Sequence, residues 1–171
     1  MPLALELGLD ADAEREVLAL WDALERAEVP SLATHAFPLR PHVTLVVSDD
    51  LTGLRRARAA LRPLIEPQPV ELVGPAFFPT EPPILHLAVG ATQELLAMHR
   101  AAVEALQAAE VQMWPHYQIA FWVPHCTLSM GVPLDRLDDA LIACLGRPLP
   151  IRTVLHDARL TDTETGETET L

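Results

Sequence analysis

One five-residue pattern occurs twice in this chain of 171 residues. Pro41-His42-Val43-Thr44-Leu45 and Pro124-His125-Cys126-Thr127-Leu128 agree at four of five positions, and their histidines stand 83 residues apart (125 − 42). Sliding the chain by that interval lays the helical segment after Asp10 on the one after Thr92, and the segment after Asp50 on the one starting at Leu134. Leu51 then falls on Leu134 and Leu54 on Leu137. Each half reads helix, extended segment, motif strand, helix. Self-similarity at a fixed period means a duplicated structural unit. The pattern predicts an α+β unit used twice, as two lobes facing each other.

The elements follow from periodicity and breakers. Leu3 to Leu9 alternates and reads as a strand. Asp10 or Asp12 caps a helix to about Ala27, with Val17, Leu18, Leu20, Trp21 and Leu24 as its apolar stripe. An extended piece is expected around Ala33 to Phe37, a strand from His42 to Val47, and a helix from Asp49 or Asp50 to Leu64. Val70 to Phe78 and Ile84 to Val89 read as strands around the Pro79–Pro83 turn. A helix covers Thr92 to Ala109. Tyr117 to Trp122 and His125 to Met130 look extended, and Leu134 to Leu145 helical. Ile151 to Asp162 reads as a strand, closed by a hairpin through Thr165-Gly166 to Thr168–Leu171. No linker divides the chain, so residues 1–171 form one domain, with lobes near 1–90 and 91–171 between which strands are free to exchange.

Charge narrows the partners. The formal net charge is −12, and all twelve basic residues are arginine. A long nucleic acid needs a basic face that releases counterions. Arg55, Arg56, Arg58 and Arg62 are the nearest thing to one, and on a helix they form a solvated face. The balance favours a small phosphorylated substrate, a nucleotide or an RNA terminus, over a long strand. No apolar run approaches the roughly 18 residues of a membrane helix. The acidic start, Met1 to Asp10, is unlike a secretory signal. Cys126 and Cys144 lack metal-ligand spacing and are expected as reduced thiols of a cytoplasmic protein.

The motif spacing carries chemistry. In a strand, residues i and i+2 share a face. His42 therefore projects with Thr44, and His125 with Thr127, while Val43, Leu45, Cys126 and Leu128 turn to a core. Facing lobes would bring two imidazoles and two hydroxyls to one cleft. In-line displacement at a phosphodiester needs a base on one side of phosphorus and an acid on the other, and imidazole suits both. Threonine hydroxyls can donate to the non-bridging oxygens as charge builds there. The scheme calls for no metal and no cofactor.

These paired His-x-Thr-(hydrophobic) motifs resemble those of the 2H phosphoesterases, and among them the bacterial 2′,5′ RNA ligase-like group. The resemblance spans nearly the whole chain. It implies a duplicated, pseudo-two-fold bilobed fold, with antiparallel sheets lining a central cleft and helices packed outside. It implies metal-independent opening of a cyclic phosphodiester, such as a 2′,3′-cyclic nucleotide or an RNA end. His42 and His125 would be the acid/base pair, with Thr44 and Thr127 holding the phosphate. Many relatives carry a basic residue soon after a motif. Here Val46-Val47-Ser48 and Ser129-Met130-Gly131 follow, which weakens the case for RNA binding. The last strand also stops at Leu171, short of the family's usual end.

Further substrate-binding candidates flank the motifs. Arg40, at i−2 from His42, could present its guanidinium fork to phosphate. Ser129, at i+2 from Thr127, could add a donor. Trp114, Tyr117, Phe121 and Trp122 precede the second motif, where an aromatic could stack on a base while most read as core or the rim of a strand; Tyr117 and Trp114 are better placed to stack than Trp122. Phe77 and Phe78 could form an opposing wall, and His86 could line the cleft. His35, His99, His116 and His156 read as structural or surface residues. Two other functions fit the same residues: a phosphate-binding module without turnover, and a 2′,5′ RNA ligase or tRNA-end processing factor. The bilobed design needs no partner subunit, so a monomer is expected.

Overall fold

The computed structural model describes residues 2–171. Its strands are β1 (Leu3–Gly8), β2 (His42–Ser48), β3 (Gln68–Phe78), β4 (Ile84–Val89), β5 (His125–Ser129), β6 (Ile151–Asp162) and β7 (Thr168–Thr170). Its α-helices are α1 (Ala11–Arg26), α2 (Leu51–Leu61), α3 (Gln93–Ala108) and α4 (Leu137–Leu145). All strand pairings are antiparallel, in the order β2-β1-β6-β3-β4-β5, with β7 added on β6.

Local chemistry sets the helix starts. Asp10 accepts the backbone N–H groups of Asp12 and Ala13, Asp50 accepts that of Gly53, and Thr92 that of Leu95. Each is an N-cap supplying an acceptor that the first turn lacks. Val17, Leu20, Trp21 and Leu24 form the buried stripe of α1; Leu95, Met98, Ala102 and Leu106 form that of α3. Helix α1 packs with α4, and α2 with α3, so each helix pair draws one member from each half of the chain.

The repeat extends through the strands. Strands β3 and β6 pair about Val70 and Thr153, which are themselves 83 residues apart (153 − 70). Glu71 opposite Arg152 and Pro69 opposite Val154 complete a register that a two-fold through this point leaves unchanged. The third strand of each repeat crosses to the other: β6 pairs with β1, and β3 with β4. The sheet therefore mixes strands of residues 1–90 with strands of residues 91–171. Strands β3 and β4 stand beside β5, and the two halves of β6 serve both sides. Edge strands β2 and β5 come against each other with no ladder between them.

Two segments differ from the sequence expectation. The piece around Ala33 to Phe37 begins as a 3₁₀ turn at Leu32–Thr34, because the Ser31 hydroxyl accepts the Ala33 N–H. Tyr117 to Trp122 is no strand: Pro115–Tyr117 forms a 3₁₀ turn, and Phe121 and Trp122 bond back to the Gln118 carbonyl. Proline at the start of that segment removes a donor a strand would need. Cys126 and Cys144 are free and buried, and burial pushes their thiols up to about 12 and about 11.

Candidate active site

The two motifs open β2 and β5, the strands that meet edge to edge. Each imidazole is anchored in the same way. The Nδ1–H of His42 donates to the Arg40 carbonyl at 2.8 Å, and that of His125 to the Val123 carbonyl at 2.7 Å. Both partners are the residue two before the histidine, the one ahead of the motif proline. Proline cannot continue a ladder, so this carbonyl is available to the ring. The bond places a proton on Nδ1, so that in the neutral ring Nε2 carries the lone pair.

The two strands also share an irregularity. Leu5 pairs with Val46 but Glu6 with Thr44, so Leu45 is an extra residue in β2. Leu85 pairs with Ser129 but His86 with Thr127, so Leu128 is the extra residue in β5. Leu45 and Leu128 occupy the same motif position. A bulge there interrupts the alternation of faces.

This bulge places Ser129 away from its expected role. Past Leu128 the i, i+2 rule fails, and Ser129 is completely buried, its hydroxyl accepting the Gly131 N–H at 3.3 Å. Arg40 is also engaged elsewhere. Strand β2 starts at His42, so alternation does not reach it, and its guanidinium grips Glu14 at 3.0 and 2.6 Å, with Asp157 at 3.6 Å. The Arg40 carbonyl, rather than its side chain, serves the site.

The other candidates lie at different places around the two motifs. His125 lies in edge contact with the Phe78 ring at 4.8 Å and the His86 ring at 5.2 Å, and Phe78 stacks on His86 at 4.1 Å. Phe78 thus walls His125 on its own side. Tyr117 is half-buried against the core; burial, then the nearby charge of Glu6, pushes its phenol up to about 12. Trp114 donates its indole N–H to Asp49 at 2.8 Å. His99 stacks on Trp122 at 3.9 Å inside the protein. A hollow of about 680 Å³ lined by Asp10, Glu71, Thr92 and Arg152 lies at the β3–β6 crossing and includes none of the motif residues.

Glu6 escaped the sequence reading. It is the cross-strand partner of Thr44, it is buried, and its Oε1 lies 3.3 Å from His42 Nε2. The Thr161 hydroxyl donates to its Oε2 at 2.7 Å. The available signal was a lone carboxylate in the otherwise apolar Leu3-Ala4-Leu5-Glu6-Leu7. On the other side, burial holds His125 below the ordinary histidine range; the Val123 carbonyl opposes this and charge on His42 adds to it. Burial, helped by charge on His125, brings His86 down to about 4.

Residues 10–167 match the 2′-5′ RNA ligase superfamily. The chain belongs to this family, the 2H phosphoesterases. Usb1 of Kluyveromyces marxianus, solved with uridine monophosphate, is similar in fold, with a TM-score of 0.57 at 16% identity. The likeness covers 99% of this chain and 98% of that one. No curated protein matches the sequence. Among the described residues, no helix is long and apolar enough to cross a membrane, and no group of three or more His, Cys, Asp or Glu side chains is placed to hold a metal ion.

Proposed function

We propose that this 2H phosphoesterase hydrolyses a cyclic phosphodiester, a 2′,3′-cyclic nucleotide or an RNA end, with His42 and His125 as its acid/base pair. The observation that carries the reading is the matched anchoring of the two rings. Each Nδ1–H is committed to the carbonyl two residues earlier, so each Nε2 is left for proton transfer. Two titrating nitrogens across one cleft can take a proton from an attacking water and give one to a departing ribose oxygen. Thr44 and Thr127, one strand step on, supply hydroxyl donors for the non-bridging oxygens. No step in this scheme needs a metal.

A nucleotide-sized ligand suits the surroundings. Usb1 was solved with uridine monophosphate, and the Phe78 ring lies against His125. A long RNA strand suits them less. The net charge is −12, and Arg40, Arg55, Arg147, Arg152 and Arg159 each already face a carboxylate. Ligation to form a 2′,5′ bond would use the same proton transfers with a ribose 5′-hydroxyl attacking in place of water, and the family description keeps it as the second reading.

The test is turnover of the four 2′,3′-cyclic nucleotides in excess chelator. Wild type should release a single monoester isomer, and His42→Ala or His125→Ala should each lose at least ~10²-fold. Activity that survives both substitutions, or that requires added metal, would exclude the mechanism.

A further inference from the structure

A duplicated site cannot by its symmetry tell acid from base, so something must break the match. The difference lies in the residue paired across from each motif threonine. That residue is Glu6 opposite Thr44 and His86 opposite Thr127. Both are buried and both stand beside their motif histidine. Their supporting neighbours, 83 residues apart on β6 and β3 (161 − 78), differ as well: Thr161 donates to Glu6, whereas Phe78 stacks on His86.

We propose, resting on the phosphodiester reading above, that Glu6 and His86 are positioning residues that divide the roles: Glu6 keeps a proton on His42 Nε2 and makes it the acid, and His86 leaves His125 as the base. The argument is a proton count. The Nδ1–H of His42 is committed to Arg40, so a neutral His42 would hold its Nε2 lone pair beside a carboxylate oxygen 3.3 Å away. Two electron-rich atoms at that separation repel, whereas a proton on Nε2 makes the contact an ion pair of imidazolium with carboxylate and leaves the N–H for the substrate.

The remaining groups around His42 do not take that place. Thr161 donates to the far oxygen of Glu6 and fixes the carboxylate's orientation. Arg159, across the strand from Glu6, turns to Asp157 at 2.9 Å, and Arg40 is held by Glu14 and Asp157. Tyr117 comes from the loop before β5 with its phenol protonated, and His125 faces from β5.

Beside His125 the neighbour is a second imidazole covered by a phenyl ring. It supplies no fixed negative charge, and two imidazolium rings 5.2 Å apart would repel. His125 therefore enters the reaction neutral, with its Nε2 lone pair free.

The step balances. A water oxygen bonds to phosphorus as its proton passes to His125 Nε2. The bond from phosphorus to one ribose oxygen breaks, its electron pair stays on that oxygen, and the oxygen takes the proton from His42 Nε2. A monoester and a free ribose hydroxyl result, and exchange with solvent resets both rings. The substrate must then lie with its leaving oxygen toward β2 and the attacking water toward β5.

The experiment compares a 2′,3′-cyclic nucleotide with its analogue carrying sulfur at the leaving position, because a thiolate departs without a proton. His42→Ala should lose at least ~10²-fold on the oxygen ester and recover most of it on the sulfur ester. His125→Ala should lose equally on both. Glu6→Gln, whose amide oxygen still accepts from Thr161, should lose at least ~10-fold in kcat on the oxygen ester alone, with KM unchanged. Equal losses of Glu6→Gln on the two esters, or sulfur rescue of His125→Ala in place of His42→Ala, would overturn the assignment. Nitrogen-15 NMR of the ring nitrogens near neutral pH reads the same point without turnover. His42 Nε2 should carry a proton in wild type and lose it in Glu6→Gln. A bare Nε2 on wild-type His42 sinks the proposal whatever the substrate, whereas an inactive wild type with the expected NMR pattern sinks only the choice of substrate.

Discussion

Trp122 donates its indole N–H to the carbonyl of Thr44 at 3.0 Å, in the motif of the opposite repeat. Trp21 does the same for the carbonyl of Thr127 at 3.4 Å. The two motif strands are sheet edges, so these carbonyls have no ladder partner on the side where β2 and β5 meet. A buried carbonyl left unpaired is costly. Each half of the chain thus completes the backbone bonding of the other half's motif, and the separation of the two histidines is fixed by indole rings as well as by the sheet.

Replacing Trp122 with Phe keeps most of the ring area and removes the donor. The Thr44 carbonyl would be left buried without a partner, at a cost of about 1–3 kcal/mol. Urea unfolding of Trp122→Phe should show a lower midpoint with an unchanged slope. An unchanged midpoint would mean that the indole N–H contributes nothing to holding β2 in place.

His86 and His99 predict how stability depends on pH. Burial brings each down to about 4; for His99, the Tyr117 and Leu45 backbone partly opposes the shift. In the unfolded chain both take up a proton below about 6.5, whereas in the fold both stay neutral to about 4. The unfolded state therefore binds more protons between those values, and stability falls as pH drops through that window. The loss is on the order of 2–3 kcal/mol for each group. Thermal unfolding should show a Tm that declines from pH 6.5 to 4, with a shallower decline in His99→Gln. A flat profile would contradict the buried, neutral state of both rings.

Ser129 separates what alternation suggests from what the bulge does. A strand without the extra residue at Leu128 would aim Ser129 into the cleft beside Thr127. The observed hydroxyl is enclosed and accepts the Gly131 N–H. Ser129→Ala should keep kcat and KM within about two-fold and cost roughly 1 kcal/mol of stability for one lost hydrogen bond. A large rise in KM with stability intact would restore Ser129 to the substrate.

What could be read in advance follows the range of the interactions. The doubled motif, the helices opening near Asp10, Asp50 and Thr92, and the β6–β7 hairpin all have local signals and stand close to where periodicity put them, although Arg62–Leu64 and Leu134–Arg136, expected within helices, are 3₁₀ turns. Which strand pairs with which is not local. The exchange of β3 and β6 rests on the Val70–Thr153 register, between residues far apart in the chain. The bulges at Leu45 and Leu128 are invisible to alternation, because an inserted residue looks like any other apolar position. Arg40 reads as a phosphate ligand until Glu14, on a different element, claims it. Glu6 has no motif at all, and its meaning arises only when β1 pairs with β2. The alternation of β4 left His86 between a core position and the cleft; it is buried, and its ring meets His125.

Thr44 and Thr127 offer the most direct check on how the phosphate is held. Each shares the face of its motif histidine by alternation, before the bulge intervenes. Valine has the same branched shape and strand preference as threonine but no hydroxyl. Thr44→Val and Thr127→Val should fold with midpoints close to wild type, since their backbone carbonyls keep the tryptophan bonds. If the hydroxyls donate to oxygens that gain charge in the transition state, each loss should lower kcat by about 10²-fold, the cost of removing one such donor. KM should change little, because the donors matter most after the charge has built. A rise in KM at constant kcat would instead assign the threonines to ground-state binding, and unchanged kinetics in both variants would remove them from the site and leave the histidines to act alone.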